Sequence, residues 1–166
     1  MGTTSSYLNE LSNPLDRVER LAEKRSWPID RTSNDEVVMS VAGAWCGLDL
    51  SLSWREEIET LEIACAFDLK FSDQRRGEIL NLLVQINSGL VHGHFDLWET
   101  NGRIVYRNAL WLAGGAEAND AQCDALIRAG LDSCQHYYPA FQFVAWGNQT
   151  AADALRNAML ETQGEA

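Results

Sequence analysis

Residues 90–112, LVHGHFDLWETNGRIVYRNALWL, constrain the fold more than any other stretch of the chain. Two runs rich in aromatic and branched residues flank Asn101-Gly102, the dipeptide that most readily supplies the two positive φ angles of a type I′ hairpin turn. A two-residue loop also fixes the register, since Thr100 must then face Arg103 and every further pair follows. One face carries His92 opposite Trp111, His94 opposite Ala109, Asp96 opposite Arg107 and Trp98 opposite Val105. The other carries Val91, Phe95 and Leu97 with Ile104, Tyr106, Leu110 and Leu112, an apolar set that reads as core.

The remaining chain supplies the rest of a sheet and the helices to cover it. Asn13 caps a helix with Pro14 at its first position and Leu15, Val18, Leu21 and Ala22 as its apolar stripe, ending near Arg25. The period then changes from helical to alternating: Val37, Met39, Val41; Leu48, Leu50, Leu52, Trp54; Leu61, Ile63, Cys65, Phe67. These are three antiparallel strands, with a shorter one near residues 29–32 before them. The interleaved Asp49, Ser51, Ser53, Glu62 and Asp68 are polar, so this part of the sheet keeps one wet face.

Ser72 caps a second helix with Ile79, Leu82, Leu83 and Ile86 inward, and the hairpin follows. Asn119 or Asp120 caps a third, striped by Cys123, Leu126, Ile127, Leu131 and Cys134 and interrupted at Tyr138-Pro139. Residues 139–147 lean to a separate short helix, and a last helix from 150 to about 162 turns Ala151, Leu155, Ala158 and Met159 inward. The expectation is a one-domain α+β fold, α-β(3-4)-α-β-β-α-α, with helices on one face of an antiparallel sheet. Residues 1–12, polar and rich in Ser and Thr, form a flexible N-terminus, and residues 13–166 form the domain.

A chain of 166 residues buries roughly 70% of its unfolded surface, enough for a sizeable core. The net charge of −11 and the scatter of its basic residues exclude nucleic acid and disfavour an anionic membrane surface, while a basic protein or peptide partner suits them. The uncharged stretch 133–152 is too polar for a membrane-spanning helix, and no basic segment followed by an apolar one opens the chain, so the expected location is the cytoplasm. Four cysteines without CxxC spacing read as free, buried and small.

The mixed face of the hairpin is where chemistry concentrates. Arg107 between Trp98 and Trp111 has the means to clamp a carboxylate or a peptide backbone, although Asp96 opposite it also makes a register-pinning ion pair worth about 0.2–1 kcal/mol. His92, His94 and Asp96 alternate on that face, the ligand types of a non-haem iron or catalytic zinc site, but successive same-face residues about 6.8 Å apart do not converge on one ion without a bend. No metal or cofactor is therefore expected. His136 reads as a helix-end cation facing the dipole. No nucleophile-plus-base motif is present. Of six tryptophans, Trp27 and Trp54 fit the core, whereas Trp98, Trp111 and Trp146 exceed what a sheet covered on one side can bury and mark a contact surface.

The runs Asn13-Pro14-Leu15-Asp16, Trp27-Pro28, Ala64-Cys65-Ala66-Phe67-Asp68, Gly93-His94-Phe95-Asp96-Leu97-Trp98, Tyr138-Pro139-Ala140-Phe141-Gln142-Phe143 and Trp146-Gly147 together resemble the YbjN family, in particular its alphaproteobacterial branch. The resemblance covers nearly the whole chain. It implies a bacterial cytoplasmic protein described as a sensory transduction regulator, with a fold similar to the small dimeric chaperones of type III secretion. It carries over no catalytic residues. The combined expectation is a non-enzymatic, chaperone-like or regulatory homodimer that binds a protein or peptide client on its sheet face through Trp98, Trp111, Arg107, His94, Asp96 and Trp146. The alternative is a small-ligand or metal-dependent enzyme using His94, Asp96 and Arg107.

Overall fold

The structure, a computed structural model, describes residues 12–163. Nearly all of the flexible segment expected over residues 1–12 lies outside the described residues. Helix α1 (Pro14–Lys24) starts where the sequence requires, with the Asn13 side chain accepting from the Leu15 N–H at 3.0 Å and Pro14 at the first helical position. Four strands follow: β1 (Ile29–Ser33), β2 (Glu36–Ala42), β3 (Gly47–Arg55) and β4 (Thr60–Phe67). Then come α2 (Arg76–Gly89), β5 (His94–Trp98), β6 (Arg103–Trp111), α3 (Asp120–Ala145) and α4 (Ala151–Gln163). The strands make one antiparallel sheet in the order β1-β2-β3-β4-β6-β5. This is the α+β order the alternation predicts, with all four early strands present.

The two faces of the sheet differ as the interleaving requires. Val37, Met39, Leu50, Leu52, Leu61, Ile63, Phe67, Phe95, Ile104 and Tyr106 are buried in one core with Leu15 of α1, Ile79 and Leu82 of α2, and Ile127, Phe141 and Val144 of α3. At about 25 cal/mol per Å² of apolar surface removed from water, this side supplies most of the driving force for folding. Among the described residues no helix lies over the opposite face, which presents Ser40, Asp49, Ser53, Glu62 and Arg107.

The hairpin register departs from expectation. Asn101 is not left-handed; Gly102 alone is, with φ +65°, and its N–H donates to the Trp98 carbonyl at 2.7 Å. The loop is thus the four residues 99–102, Trp98 pairs with Arg103, and His94 pairs with Arg107. A slip of two leaves every side chain on the face expected of it, which is why the core assignment survives. The strand is shorter than expected at its start: Gly93 turns at φ +69°, so His92 precedes the strand and Val91 is 88% exposed rather than in the core.

Three further expectations are corrected. α3 runs unbroken through Pro139, because Tyr138, Pro139, Ala140, Phe141 and Val144 are all buried and the Phe67 ring stacks edge-on to Tyr138 and tilted against Phe141. That packing outweighs the missing hydrogen bond, a cost of about 3 kcal/mol. His136 is consequently in mid-helix, exposed, with its ring edge-on to Tyr137, and faces no helix end. Ser72 makes no side-chain cap; a 3₁₀ turn over Asp73–Arg75 leads into α2. In α4 Ala151, Ala154 and Ala158 are buried and Met159 is exposed. The four cysteines are free. Among the described residues no helix is long and apolar enough to cross a membrane.

Candidate functional site

The open face is concave because its middle is built from small residues. Ser51 pairs with Ala64, Ala64 with Arg107, and Ala66 with Val105, so a floor of hydroxymethyl and methyl groups runs across β3 and β4 beside the larger residues of β6. Larger side chains stand around it. Two adjoining hollows of about 560 and 550 Å³ result, and both include Ser51, Ala64 and Trp98 in their walls. Trp98, half-buried on edge strand β5, is the partition between them. The register sets it diagonal to Val105, which is fully buried although it lies on the open face.

The first hollow, beside β1 and β2, is bounded by Val38, Asp49 and Arg103 among others. Arg103 donates to Asp49 Oδ2 at 2.8 Å, and its Nε lies 3.1 Å from Asp68 Oδ1 without the alignment of a hydrogen bond. Ser40 also donates to Asp49, at 3.2 Å. The second hollow is bounded by Arg55, Glu62, Gly93, His94, Arg107, Ala109 and Trp111. Arg55 and Glu62 hold each other at 2.8 Å. Arg107 is looser: its Nη1 is 3.7 Å from Asp96 Oδ2, beyond hydrogen-bond reach. Asp96 spends its other oxygen on the Leu97 N–H, at 2.8 Å. Trp111 ends β6 with 81% of its surface exposed.

Of the residues expected to form a binding surface, Trp98, Trp111, Arg107 and His94 line this second hollow, and Asp96 reaches it through Arg107. Trp146 does not join them. It caps the C-terminus of α3, in the helical layer, and its indole N–H donates to the Lys70 carbonyl at 2.8 Å while 61% of its surface is exposed. The alternating triad of His92, His94 and Asp96 does not form either, since His92 lies before the Gly93 turn with its carbonyl accepting from the Tyr106 hydroxyl at 3.0 Å. Among the described residues, no three His, Cys, Asp or Glu side chains are grouped so as to hold a metal. Tyr106 is buried, and its hydroxyl is pushed above the usual tyrosine range chiefly by that burial.

Sequence reading missed Val38, Ser51, Ala64, Arg103 and Asn108 as parts of the site. Val38 is apolar and Asn108 falls in phase with Tyr106 and Leu110, so neither carried a signal; that of Ser51, Ala64 and Arg103 was a small or polar position interleaved with core residues of β3, β4 and β6. It indicated a solvated face and said nothing of a hollow.

A family model described as "Putative bacterial sensory transduction regulator", YbjN, matches residues 14–143. A solved structure with a similar fold is YbjN from E. coli, described as "a putative transcription regulator"; the two share 11% sequence identity at a TM-score of 0.52, over 73% of this chain and 85% of that one. No match to a curated protein is found at a significant level. The solved structure establishes likeness of fold alone. The family match runs from the first turn of α1 well into α3 and takes in all six strands. This chain therefore belongs to the YbjN family, the one that carries that description.

Proposed function

We propose that the open sheet face is a docking surface for a segment of a protein partner, and that the protein acts as a non-enzymatic, chaperone-like or regulatory adaptor in the cytoplasm. The observation that carries this reading is an exposed indole, Trp111, at the rim of a hollow whose walls include Trp98, His94 and Arg107, on a face that no helix covers among the described residues. Exposed aromatic and arginine side chains around a concave floor are the usual anchors of protein interfaces. The acidic chain, at net charge −11, favours a basic client by long-range attraction. A regulator family is also a natural setting for a binding module.

A homodimer is part of the same proposal. Leu80 and Val84 are exposed at i and i+4 on one flank of α2, where a second copy has apolar surface to cover. Crosslinking in cells of wild type and Trp111→Ala, read by mass spectrometry, tests both parts. The expected outcome is a partner recovered with wild type and lost with Trp111→Ala, together with a crosslinked dimer that Val84→Glu abolishes. Equal recovery of the partner by Trp111→Ala contradicts the docking surface, and a wild-type monomer contradicts the dimer.

A further inference from the structure

Backbone groups alternate in direction along a strand, so the even residues of β6 turn their N–H and C=O toward β4 and the odd ones toward β5. The Leu112 N–H, donating to the Glu59 carbonyl at 2.8 Å just past the strand's end, sets this phase. Residues 103, 105 and 107 are met by Trp98, Asp96 and His94. There β5 begins, because Gly93 turns the preceding chain away and the Tyr106 hydroxyl holds the His92 carbonyl. β6 continues to Trp111. Its Ala109 and Trp111 thus face an edge with no strand opposite among the described residues. The Ala109 N–H folds back onto its neighbour Asn108 Oδ1 at 2.8 Å, a local bond that a better acceptor can replace.

The outer edge of β5 is closed by contrast. The Asn87 amide donates to the Phe95 carbonyl at 2.9 Å and accepts from the Phe95 N–H at 2.7 Å, so both outward groups of that residue are held by α2. The β5 edge is plugged at Phe95 by a residue of α2; at Ala109 the short β6 edge has only a bond to its own neighbour, and it opens into the second hollow.

The direction of the chain determines what fits. A strand seated on Ala109–Trp111 antiparallel to β6 runs in line with β5 and meets Gly93 and His94 after about two residues. It must end there, and the end that arrives is a carboxyl terminus. At that point stand His94 and Arg107, whose 3.7 Å contact with Asp96 is the longest ion pair among the described residues. A parallel strand would bring an ammonium group to the same guanidinium and be repelled.

We propose that the open edge of β6 takes the C-terminal end of a partner polypeptide as a short antiparallel strand, its carboxylate held by Arg107 beside His94 and a side chain laid against Trp111. This rests on the docking reading and names the segment that docks. The measurement is fluorescence anisotropy of the full chain against arrayed labelled hexapeptides of varied sequence, each made with a free C-terminal carboxylate and with a C-terminal amide. Free acids should bind at least about tenfold more tightly than their amides, the difference expected of a charge-assisted hydrogen bond. Arg107→Gln should reduce acids to the level of amides. Ala109→Pro removes an N–H that faces only the open edge, leaves the pairing with β4 intact, and should abolish binding of both. Equal binding of acid and amide, or no binding by any peptide, overturns the proposal. Partner capture that still depends on Trp111 would then leave the docking surface standing and the chain-end preference refuted.

Discussion

At Gly93 a missing side chain shapes the candidate site. Its φ of +69° is left-handed, and a Cβ there would meet the Tyr106 hydroxyl and lie 2.6 Å from the Arg107 carbonyl. Gly93→Ala combines backbone strain with steric overlap and should destabilise the fold by about 2–4 kcal/mol, read as a lower urea midpoint at unchanged slope. A loss under about 0.5 kcal/mol would contradict this account. The sequence offered no means of anticipating the turn, because a glycine among His92, His94 and Phe95 reads equally well as a strand residue. That is why His92 was expected beside His94 on one face and stands instead before the bend. Other single residues were legible for sound reasons. Asn13 followed by Pro14 specifies a helix start by chemistry that involves no distant neighbour, and the structure has that cap. Trp111 and Arg107 were legible from strand alternation alone, since a slip of two preserves faces.

At the scale of elements, β5 owes its isolation to α2. Asn87 lays its side-chain amide along the strand and occupies both outward groups of Phe95, doing what a neighbouring strand would do. Asn87→Ala should therefore lose about 1–3 kcal/mol of stability and, with the edge opened, self-associate beyond the wild type in sedimentation velocity as concentration rises. An unchanged sedimentation profile would indicate that the plug has no protective role. Nothing in the sequence marks Asn87, which looks like an ordinary polar residue near a helix end; its role depends on where α2 crosses β5. Two element-level readings failed, the first through a local choice of turn and the second through tertiary packing. Asn101-Gly102 has the chemistry of a two-residue turn, but the hairpin closes by a Gly102 to Trp98 hydrogen bond around four residues. Pro139 is a helix breaker by local rules and is held inside α3 by the aromatic packing of Phe67, Tyr138 and Phe141.

For the whole molecule, the decisive feature is an asymmetric sheet. Helices α1, α2 and α3 bury one face, with α4 packed on α2 and α3, and among the described residues the other face is left with charges, serines and two tryptophans. That asymmetry was legible, because apolar and polar positions alternate along every strand from Val37 to Phe67. The hollow was not, since curvature comes from the joint twist of six strands and from where Ser51, Ala64 and Ala66 fall across two of them. Trp146 shows the same limit: counting tryptophans revealed a surplus over the core, yet the count does not say that this one belongs to the helical layer.

The central claim is that a protein partner docks on the open face and not on the helical one. The most direct measurement places a photo-crosslinking amino acid in living cells at Ser53, on the open face, and separately at Arg128, exposed on α3. The account predicts a crosslinked partner from position 53 that is absent from position 128 and lost when Trp111→Ala is added. The same partner from position 128, or crosslinks at 53 that survive Trp111→Ala, would contradict it.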